Sequence, residues 1–469
     1  MVLYIDNMKQ KLPLILIFTL SVIGVLAKFT QILTPGSFIP NSSMPISQAD
    51  TAWMLTSSAL VLLMTPGLSF FYGGMVGKKN VISTLFQSFA AMGVISLLWI
   101  TVGFSLSFGE SIGGFIGNPF SYLMMHNVGG TPNALFSATI PFALFALFQM
   151  KFAIITPALI TGAFAERVKF TSYLLFMTLF SLAVYAPVAH WTWHPSGFLR
   201  VAGVLDFAGG TVVHMSAGIA ALVSALYLGQ RKHTSSNHIP ANIPYVLLGT
   251  GMLWFGWFGF NAGSALGANE LAVQAFLTTN TASAAALLTW MFLQMAKGEK
   301  PSALGACVGA VVGLVAVTPA AGYITIGESI AVGTIASTIS SWACSVRSTT
   351  SIDDTLDVFP CHGIGGIVGM ILTGIFADKV GLLSGETHTF IVHILAVIGI
   401  SFYVGIVTYI CLKITDAFIP MRVSETDEIL GLDVSQHGEI YGSKRIESLG
   451  LQENDFVNMV EPRFVGNDY

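Results

Sequence analysis

Long apolar stretches alternate with short polar loops along most of the chain. Each stretch is close to the length of about 20 residues that a helix needs to cross the hydrocarbon core of a bilayer. Open β-strands cannot cross it, because their backbone polar groups would remain unpaired in lipid. After residue 27 the pattern predicts eleven transmembrane helices, at 52–75, 81–108, 139–165, 170–189, 204–228, 243–264, 271–296, 302–317, 328–346, 358–376 and 389–415.

The composition supports a membrane protein. Of the 469 residues, 54% are hydrophobic and only 9% are charged, whereas about a quarter are charged in a typical soluble protein. We therefore predict an all-α polytopic membrane protein with a transmembrane domain at 28–415. The polar tail at 416–469 is predicted to be a cytoplasmic regulatory segment.

The N-terminus has the features of a secretory signal peptide. Two lysines, Lys9 and Lys11, precede an apolar stretch at 12–26. This stretch is short for a membrane span, and small residues around Ala27 are typical of a cleavage site. The sequence therefore favours a cleaved signal peptide at 1–27 over a retained first helix.

Lysine and arginine are distributed unequally between the two sets of loops. Cytoplasmic loops are enriched in these residues, so the richer set is predicted to face the cytoplasm of a cell (inner or plasma) membrane, with the mature N-terminus outside and the C-terminus inside. The richer set holds Lys78, Lys79, Arg167, Lys169, Arg231, Lys232, Lys297, Lys300 and Arg347, and the other holds Lys28, Arg200 and Lys379.

A weak internal repeat relates the two halves of the chain. Residues 67–80 align without gaps to residues 256–269. With five helices between them, the two segments would run in opposite directions. The alignment predicts two inverted five-helix repeats followed by a C-terminal helix, an arrangement that places a transport route at the repeat interface.

Two ionisable side chains interrupt the apolar helix predicted at 204–228. An ionisable group near the bilayer centre is costly, so such residues face protein or water. Residues four apart share a helix face, which places Gly210, His214 and Gly218 on one stripe. Small residues mark close helix contacts, so His214 is predicted to face another helix. Asp206, eight residues earlier, is suited to cap the helix N-terminus.

A second histidine lies on a similar stripe. His362 is followed by Gly365, Gly366 and Gly369. Since the fifth and tenth helices correspond in the predicted repeats, the two histidines are expected to meet. The alternative is that each merely bonds a backbone carbonyl.

Other sites are less well supported by the residues. His190, His194, Asp206 and His214 lack the spacing of a metal site, so no metal or cofactor is implied. The four cysteines have no paired spacing and are interpreted as free thiols. A hydrolase would need a nucleophile beside a histidine, and no G-x-S-x-G motif is present.

The motifs together resemble the ammonium transporter family (Amt/MEP/Rh), and its Amt/MEP branch in particular. The similarity extends over nearly the whole chain after the leader. The segments that carry it are "GLSFFYGGMVGKKN", "FQMKFAIITPALITGAFAER", "AHWTWHPSGFL", "DFAGGTVVHMSAG", "GWFGFNAGSALGANE", "DVFPCHGIGGIVG" and "GLDVSQHGE".

The resemblance implies a site for each motif. Trp193 and Ser264 would form an external ammonium vestibule organised by Asp206, Phe152 and Phe260 would close its floor, and His214 and His362 would line the pore. It also implies a homotrimer with one pore per subunit, which takes up ammonium, or methylammonium as an analogue, without enzyme activity. A cytoplasmic PII-type signalling protein is an expected partner.

The expected mechanism is recruitment of NH4+, its deprotonation near the phenylalanines and passage of NH3 through an apolar pore. Aromatic faces attract a cation as it loses water, and histidine can carry a proton. The alternative function is an ammonium sensor with little net flux. Lys151, next to Phe152, departs from an apolar pore and is expected to face away from it.

Overall fold

The computed structural model describes residues 15–23, 45–232 and 239–442. Residues 15–23 are helical. The predicted leader at 1–27 lies partly outside the described residues, as does the end of the tail, so cleavage of the leader stays a prediction.

The described chain is dominated by apolar helices. Ten are long and apolar enough to span a membrane, and an eleventh, shorter helix falls where the shortest stretch was predicted. The helices are α1 (Gln48–Met75), α2 (Val81–Phe108), α3 (Phe142–Phe164), α4 (Phe170–Val201), α5 (Gly210–Leu228), α6 (Ile243–Ala265), α7 (Glu270–Ala296), α8 (Ala303–Val317), α9 (Ile326–Ser348), α10 (Phe359–Phe376) and α11 (His388–Phe418). Two short helices, α12 (Glu425–Leu430) and α13 (Leu432–His437), lie in the tail.

The expected bounds differ most at α4. The prediction ended this helix at residue 189, but it continues to Trp193, breaks at 194–197 and resumes as the short helix Phe198–Val201. The loop between α2 and α3 also departs from an all-α chain. It contains two small antiparallel pairs, β1 (Ser111–Ile112) with β2 (Ile116–Gly117) and β3 (Pro132–Asn133) with β4 (Ser137–Pro141). Pairing with a sequence neighbour satisfies these backbone groups outside the helices.

Glycines bring α1 and α6 into close contact. A Cβ at Gly67 would stand 2.9 Å from the Met252 Cβ, and one at Gly249 would stand 2.3 Å from the Phe71 amide nitrogen. The helices that contain the two segments of the internal repeat therefore pack against each other.

The two halves share a local arrangement at α5 and α10. Each helix opens with a π-helical turn that contains its histidine, Gly210–Met215 in α5 and Phe359–Ile364 in α10. In each case an aspartate lies eight residues before the histidine, Asp206 before His214 and Asp354 before His362. Three residues after each aspartate the backbone adopts a positive φ, +113° at Gly209 and +56° at Asp357. This correspondence is the one expected of related halves.

The tail is docked against the helix bundle. The Lys79 ammonium donates to the backbone oxygen of Glu428 (2.7 Å), and the Glu428 carboxylate accepts from the Lys232 amide (2.5 Å) and the Arg422 guanidinium (2.8 Å). The Ser83 amide donates to the Asp433 carboxylate (2.9 Å). We call this end of the bundle the tail face and the end that carries β1–β4 the sheet face.

The tail face also contains a buried ion-pair cluster. The Arg231 guanidinium bridges the carboxylates of Glu166 (2.7 Å) and Asp353 (2.9 Å). The Asp353 carboxyl loses solvation on burial, but the Arg231 hydrogen bond and nearby cations outweigh this and lower its pKa. The loops after α3, α5 and α9 are thereby tied together.

Candidate functional site

A cavity of about 270 Å³ lies at the sheet face, above the α5–α10 contact. The structure brings Trp193, Ser264, Phe152 and Asp206, which were predicted for the vestibule, into its wall. The Ser264 hydroxyl donates to the Phe260 carbonyl (2.8 Å). Since its only hydrogen is used, the Ser264 oxygen can act only as an acceptor toward the cavity.

Asp206 organises the wall of this cavity from beneath. One carboxylate oxygen accepts from the amides of Gly209 (2.8 Å) and Gly210 (2.7 Å), and the other accepts from the amide (2.8 Å) and hydroxyl (2.5 Å) of Thr211. The Asp206 carbonyl accepts from the Trp193 indole (3.1 Å). The buried carboxylate thus caps α5 and satisfies amides that a helix start leaves unpaired, while its own backbone orients Trp193.

Two stacked phenylalanines form the floor of the cavity. The rings of Phe152 and Phe260 lie 4.1 Å apart at 30°, and Trp193 meets Phe152 edge-on at 5.7 Å. Phe152 lines the outer cavity, whereas Phe260 lines a second, smaller cavity below it. The ring pair therefore lies between the two spaces.

The smaller cavity contains the two histidines. The Nδ1 atoms of His214 and His362 are 3.3 Å apart, and the His214 ring also stacks on Trp257 at 5.2 Å. The volume is about 10 Å³, about the space of one water-sized probe. The remaining wall is apolar and consists of Met64, Leu68, Phe71, Ile155, Leu159, Val213, Leu253, Trp257, Phe260 and Val311.

One nitrogen of this pair is unpaired, on a histidine that lines the small cavity. The Nε2 atom of His214 is buried and has no hydrogen-bond partner among the described residues. A buried unpaired imidazole nitrogen costs free energy. A small polar molecule in the cavity would satisfy it.

Glycine packing explains how the histidines meet. A Cβ at Gly218 would stand 2.0 Å from the Gly363 amide nitrogen, so α5 and α10 cross with backbone against backbone. Gly365 and Gly369 instead face α8, at Val315 and Ala316. Within the predicted stripe on α5, Gly218 therefore marks the histidine crossing, whereas Gly210 packs against Pro319.

Sequence reasoning missed several residues of the site. Gln149 lines the outer cavity, and its side-chain oxygen is buried without a hydrogen-bond partner among the described residues. Its position one turn before Phe152 could have indicated it. Arg200 and Tyr323 line the same cavity, but nothing in their local sequence shows this.

Asp354 was missed as the counterpart of Asp206. Its carboxylate accepts from the amides of Val358 (3.0 Å) and Phe359 (2.7 Å) and so caps α10. Burial, with Asp357 nearby, raises the pKa of Asp354 to about 7. The shared spacing of aspartate and histidine in both helices was the available signal.

The structure separates the residues considered for a metal site. His190 bonds the Ser111 hydroxyl (2.8 Å) and the Ser107 carbonyl (2.9 Å) and stacks on His194, whereas His214 pairs with His362. Among the described residues, no group of three or more His, Cys, Asp or Glu side chains is placed to hold a metal ion.

Lys151 was expected to face away from the pore. Lys151 is 8% exposed and is not among the residues that line either cavity. It forms no ion pair with another described residue.

The cysteines are free thiols, three of them buried.

Comparison with known proteins agrees with this architecture. Residues 52–441 match the model of the Ammonium Transporter Family. The chain is 48% identical over 410 residues to an ammonium transporter of Aquifex aeolicus, covering 86% of this chain and 95% of that protein. It is 44% identical to an ammonium transporter of Bacillus subtilis, covering 84% of this chain and 98% of the relative.

Solved structures show the same fold. The crystal structure of Saccharomyces cerevisiae Mep2 is similar with a TM-score of 0.76 and 34% identity, covering 81% of this chain and 88% of that one. A structure described as a sensor Amt protein gives a TM-score of 0.77 at 30% identity, covering 83% and 98%. This multi-pass membrane protein is a transporter rather than an enzyme, and it belongs to the ammonium transporter family.

Proposed function

We propose that this protein takes up ammonium by binding NH4+ in the outer cavity, removing one proton and conducting NH3 past the two histidines. The observation that carries the proposal is the arrangement of the two cavities, an aromatic and polar one above and a small apolar one below, with the stacked Phe152–Phe260 pair between them.

The outer cavity suits a small hydrated cation. The Ser264 oxygen and the Gln149 amide supply hydrogen-bonding groups, and the rings of Trp193 and Phe152 supply cation–π attraction. A cation–π contact contributes about 0.5–2 kcal/mol, increasing as water is removed. These groups replace part of the hydration shell of NH4+.

The inner cavity favours the neutral form. Its wall is apolar apart from the histidines, so transfer of a full charge into it is costly. Ammonium can lose a proton and enter as NH3, whereas Na+ and K+ cannot. The balanced step is NH4+ to NH3 plus H+. The unpaired Nε2 of His214 offers a hydrogen-bonding partner for NH3.

We further propose that the sheet face is external and the tail face cytoplasmic, in a cell membrane. The basic loop residues Lys79, Arg167 and Arg231 lie at the tail face. Because cytoplasmic loops are enriched in lysine and arginine, their position supports a cytoplasmic tail face. The subunits are proposed to form homotrimers, and the tail face would be the surface for a PII-type partner.

The tail supports a regulatory role. Glu428 holds the loops after α1 and α5 through its contacts with Lys79 and Lys232. The second candidate function, an ammonium sensor with little flux, is favoured by this docking and by the likeness to the sensor Amt structure.

The test is uptake of labelled methylammonium by cells that lack their own ammonium transporters. Wild-type protein should support uptake, and Asp206→Ala and the double variant His214→Ala/His362→Ala should not. Asp378→Ala, an exposed residue outside both cavities, is the matched control. If Asp206→Ala and the double histidine variant both show wild-type uptake at equal membrane abundance, the assignment of these residues to the transport route is overturned. Normal ammonium binding by a wild type without uptake would favour the sensor.

A further inference from the structure

A cationic side chain stands in the wall of the outer cavity. Arg200 is exposed and lines the same cavity as Trp193, Phe152 and Ser264. It lies on the short helix Phe198–Val201, which follows the break in α4. Because the break redirects the chain, a residue of the last turn of α4 becomes part of the cavity rim.

The position of Arg200 is supported by its neighbours. Its guanidinium lies near the Tyr323 hydroxyl, and both side chains line the outer cavity. The Tyr323 ring meets the Phe207 ring edge-on at 5.6 Å, and the Phe207 amide donates to the Pro319 carbonyl (3.1 Å). Any Cβ at Gly322 would stand 2.2 Å from the Phe207 ring. This packing holds the Tyr323 hydroxyl at the rim and with it the Arg200 charge.

Arg200 is the accessible charge of the cavity. Among the lining residues, Arg200 and Asp206 carry the basic and acidic side chains. Asp206 is 3% exposed, and its carboxylate already accepts four hydrogen bonds. Solvent in the cavity therefore meets the positive charge of Arg200 rather than the negative charge of Asp206.

We propose that Arg200 is a specificity-determining residue that lowers the affinity of the outer cavity for cations and so sets the concentration range in which ammonium is taken up. This rests on the proposed function. Repulsion across a solvated cavity corresponds to about a two- to fivefold change in binding of a monovalent cation. It grows with the charge of the ion, so a divalent cation is disfavoured more strongly than ammonium.

The first experiment compares wild type with Arg200→Gln in methylammonium uptake at low ionic strength. The KM is expected to fall about two- to fivefold with Vmax unchanged, and the difference should shrink in high salt because the charge is screened. Arg200→Lys should retain the wild-type KM. Lys379→Gln removes an exposed cation that does not line the cavity, and should leave the KM unchanged.

A structural role for Arg200 predicts a different pattern. If Arg200 only holds Tyr323, then Tyr323→Phe should reproduce the Arg200→Gln effect, and high salt should not reduce it. That pattern, or an unchanged KM in Arg200→Gln, overturns the proposal.

Calorimetric titration of the purified protein with ammonium chloride separates this proposal from the proposed function. If the wild-type protein shows no methylammonium uptake, the proposed transport function is contradicted. The Arg200 proposal then stands if Arg200→Gln lowers the Kd for ammonium and fails if the Kd is equal or higher.

Discussion

The Nδ1 atoms of His214 and His362 lie 3.3 Å apart, with the two rings inclined by 30°. For this contact to be a hydrogen bond, one Nδ1 donates while the other accepts. The two rings therefore form one hydrogen-bonded pair, although they lie 148 residues apart in the chain.

The contact between the two rings predicts that the effects of substitutions at the two histidines are not additive. His214→Ala and His362→Ala should each lower the initial rate of methylammonium uptake at least about tenfold, and the double variant should be little worse than either single one. Initial rates at equal membrane abundance measure this. His388→Ala, an exposed histidine that bonds the Ala202 carbonyl, should retain wild-type uptake. A double variant whose defect equals the product of the single defects would show that the rings act separately.

Asp354 predicts a pH dependence of stability. Its pKa rises from 3.8 to about 7 in the folded protein because it is desolvated and close to Asp357. Ionisation between these values is penalised only in the folded state, so this group's contribution to stability falls as pH rises from about 4 to about 7 and is constant above. The Tm of Asp354→Asn minus that of wild type, in detergent, should therefore increase from pH 5 to pH 8. Asp378→Asn, at an exposed carboxylate, should show a flat difference. A flat difference for Asp354→Asn would contradict the expectation.

Gly218 predicts a steric limit at the α5–α10 crossing. In Gly218→Ala the new Cβ would overlap the Gly363 backbone at 2.0 Å, and backbone cannot rotate away as a side chain can. Overpacking of this kind costs about 1–3 kcal/mol or more, so the Tm and the yield of folded protein should fall. Gly93→Ala on α2, where nothing lies within 4 Å of the added Cβ, should fold as wild type. Equal Tm values for the two variants would argue against the tight crossing.

Gly431 predicts how the tail is released. Its φ is +95°, and a Cβ there would stand 2.5 Å from both the Lys79 Cβ and the Lys79 carbonyl oxygen. Gly431→Ala should undock α12 and α13 and accelerate trypsin cleavage after Arg422, which is half-buried in the docked tail. Gly442→Ala has a similar positive φ of +85° with nothing within 4 Å of its Cβ. It imposes the backbone strain without the clash and should leave cleavage unchanged.

Much of the site could be read from the chain itself, because its residues lie in local motifs. Asp206 and His214 are eight residues apart, and the glycines around them indicated the face that packs. The same reasoning did not predict Gln149 as a site residue, because the cavity that it lines is assembled from five or more separate segments. The predicted end of α4 was wrong, because the helix continues beyond residue 189. An apolar run alone does not show where a helix breaks.

The resemblance to a known family supplied the aromatic residues of the site, whereas the amino-acid sequence by itself determined the helical, membrane-spanning architecture and the packed faces of the two histidines. It could do so because bilayer thickness sets the length of apolar runs and helix periodicity sets the packed face. The predicted repeats led us to expect that His214 and His362 meet, but only the tertiary structure decided that their Nδ1 atoms are in contact, and that Gln149 and Arg200 enter the outer cavity. These contacts join segments far apart in the chain, and they depend on helix crossing and loop direction, which no local pattern encodes.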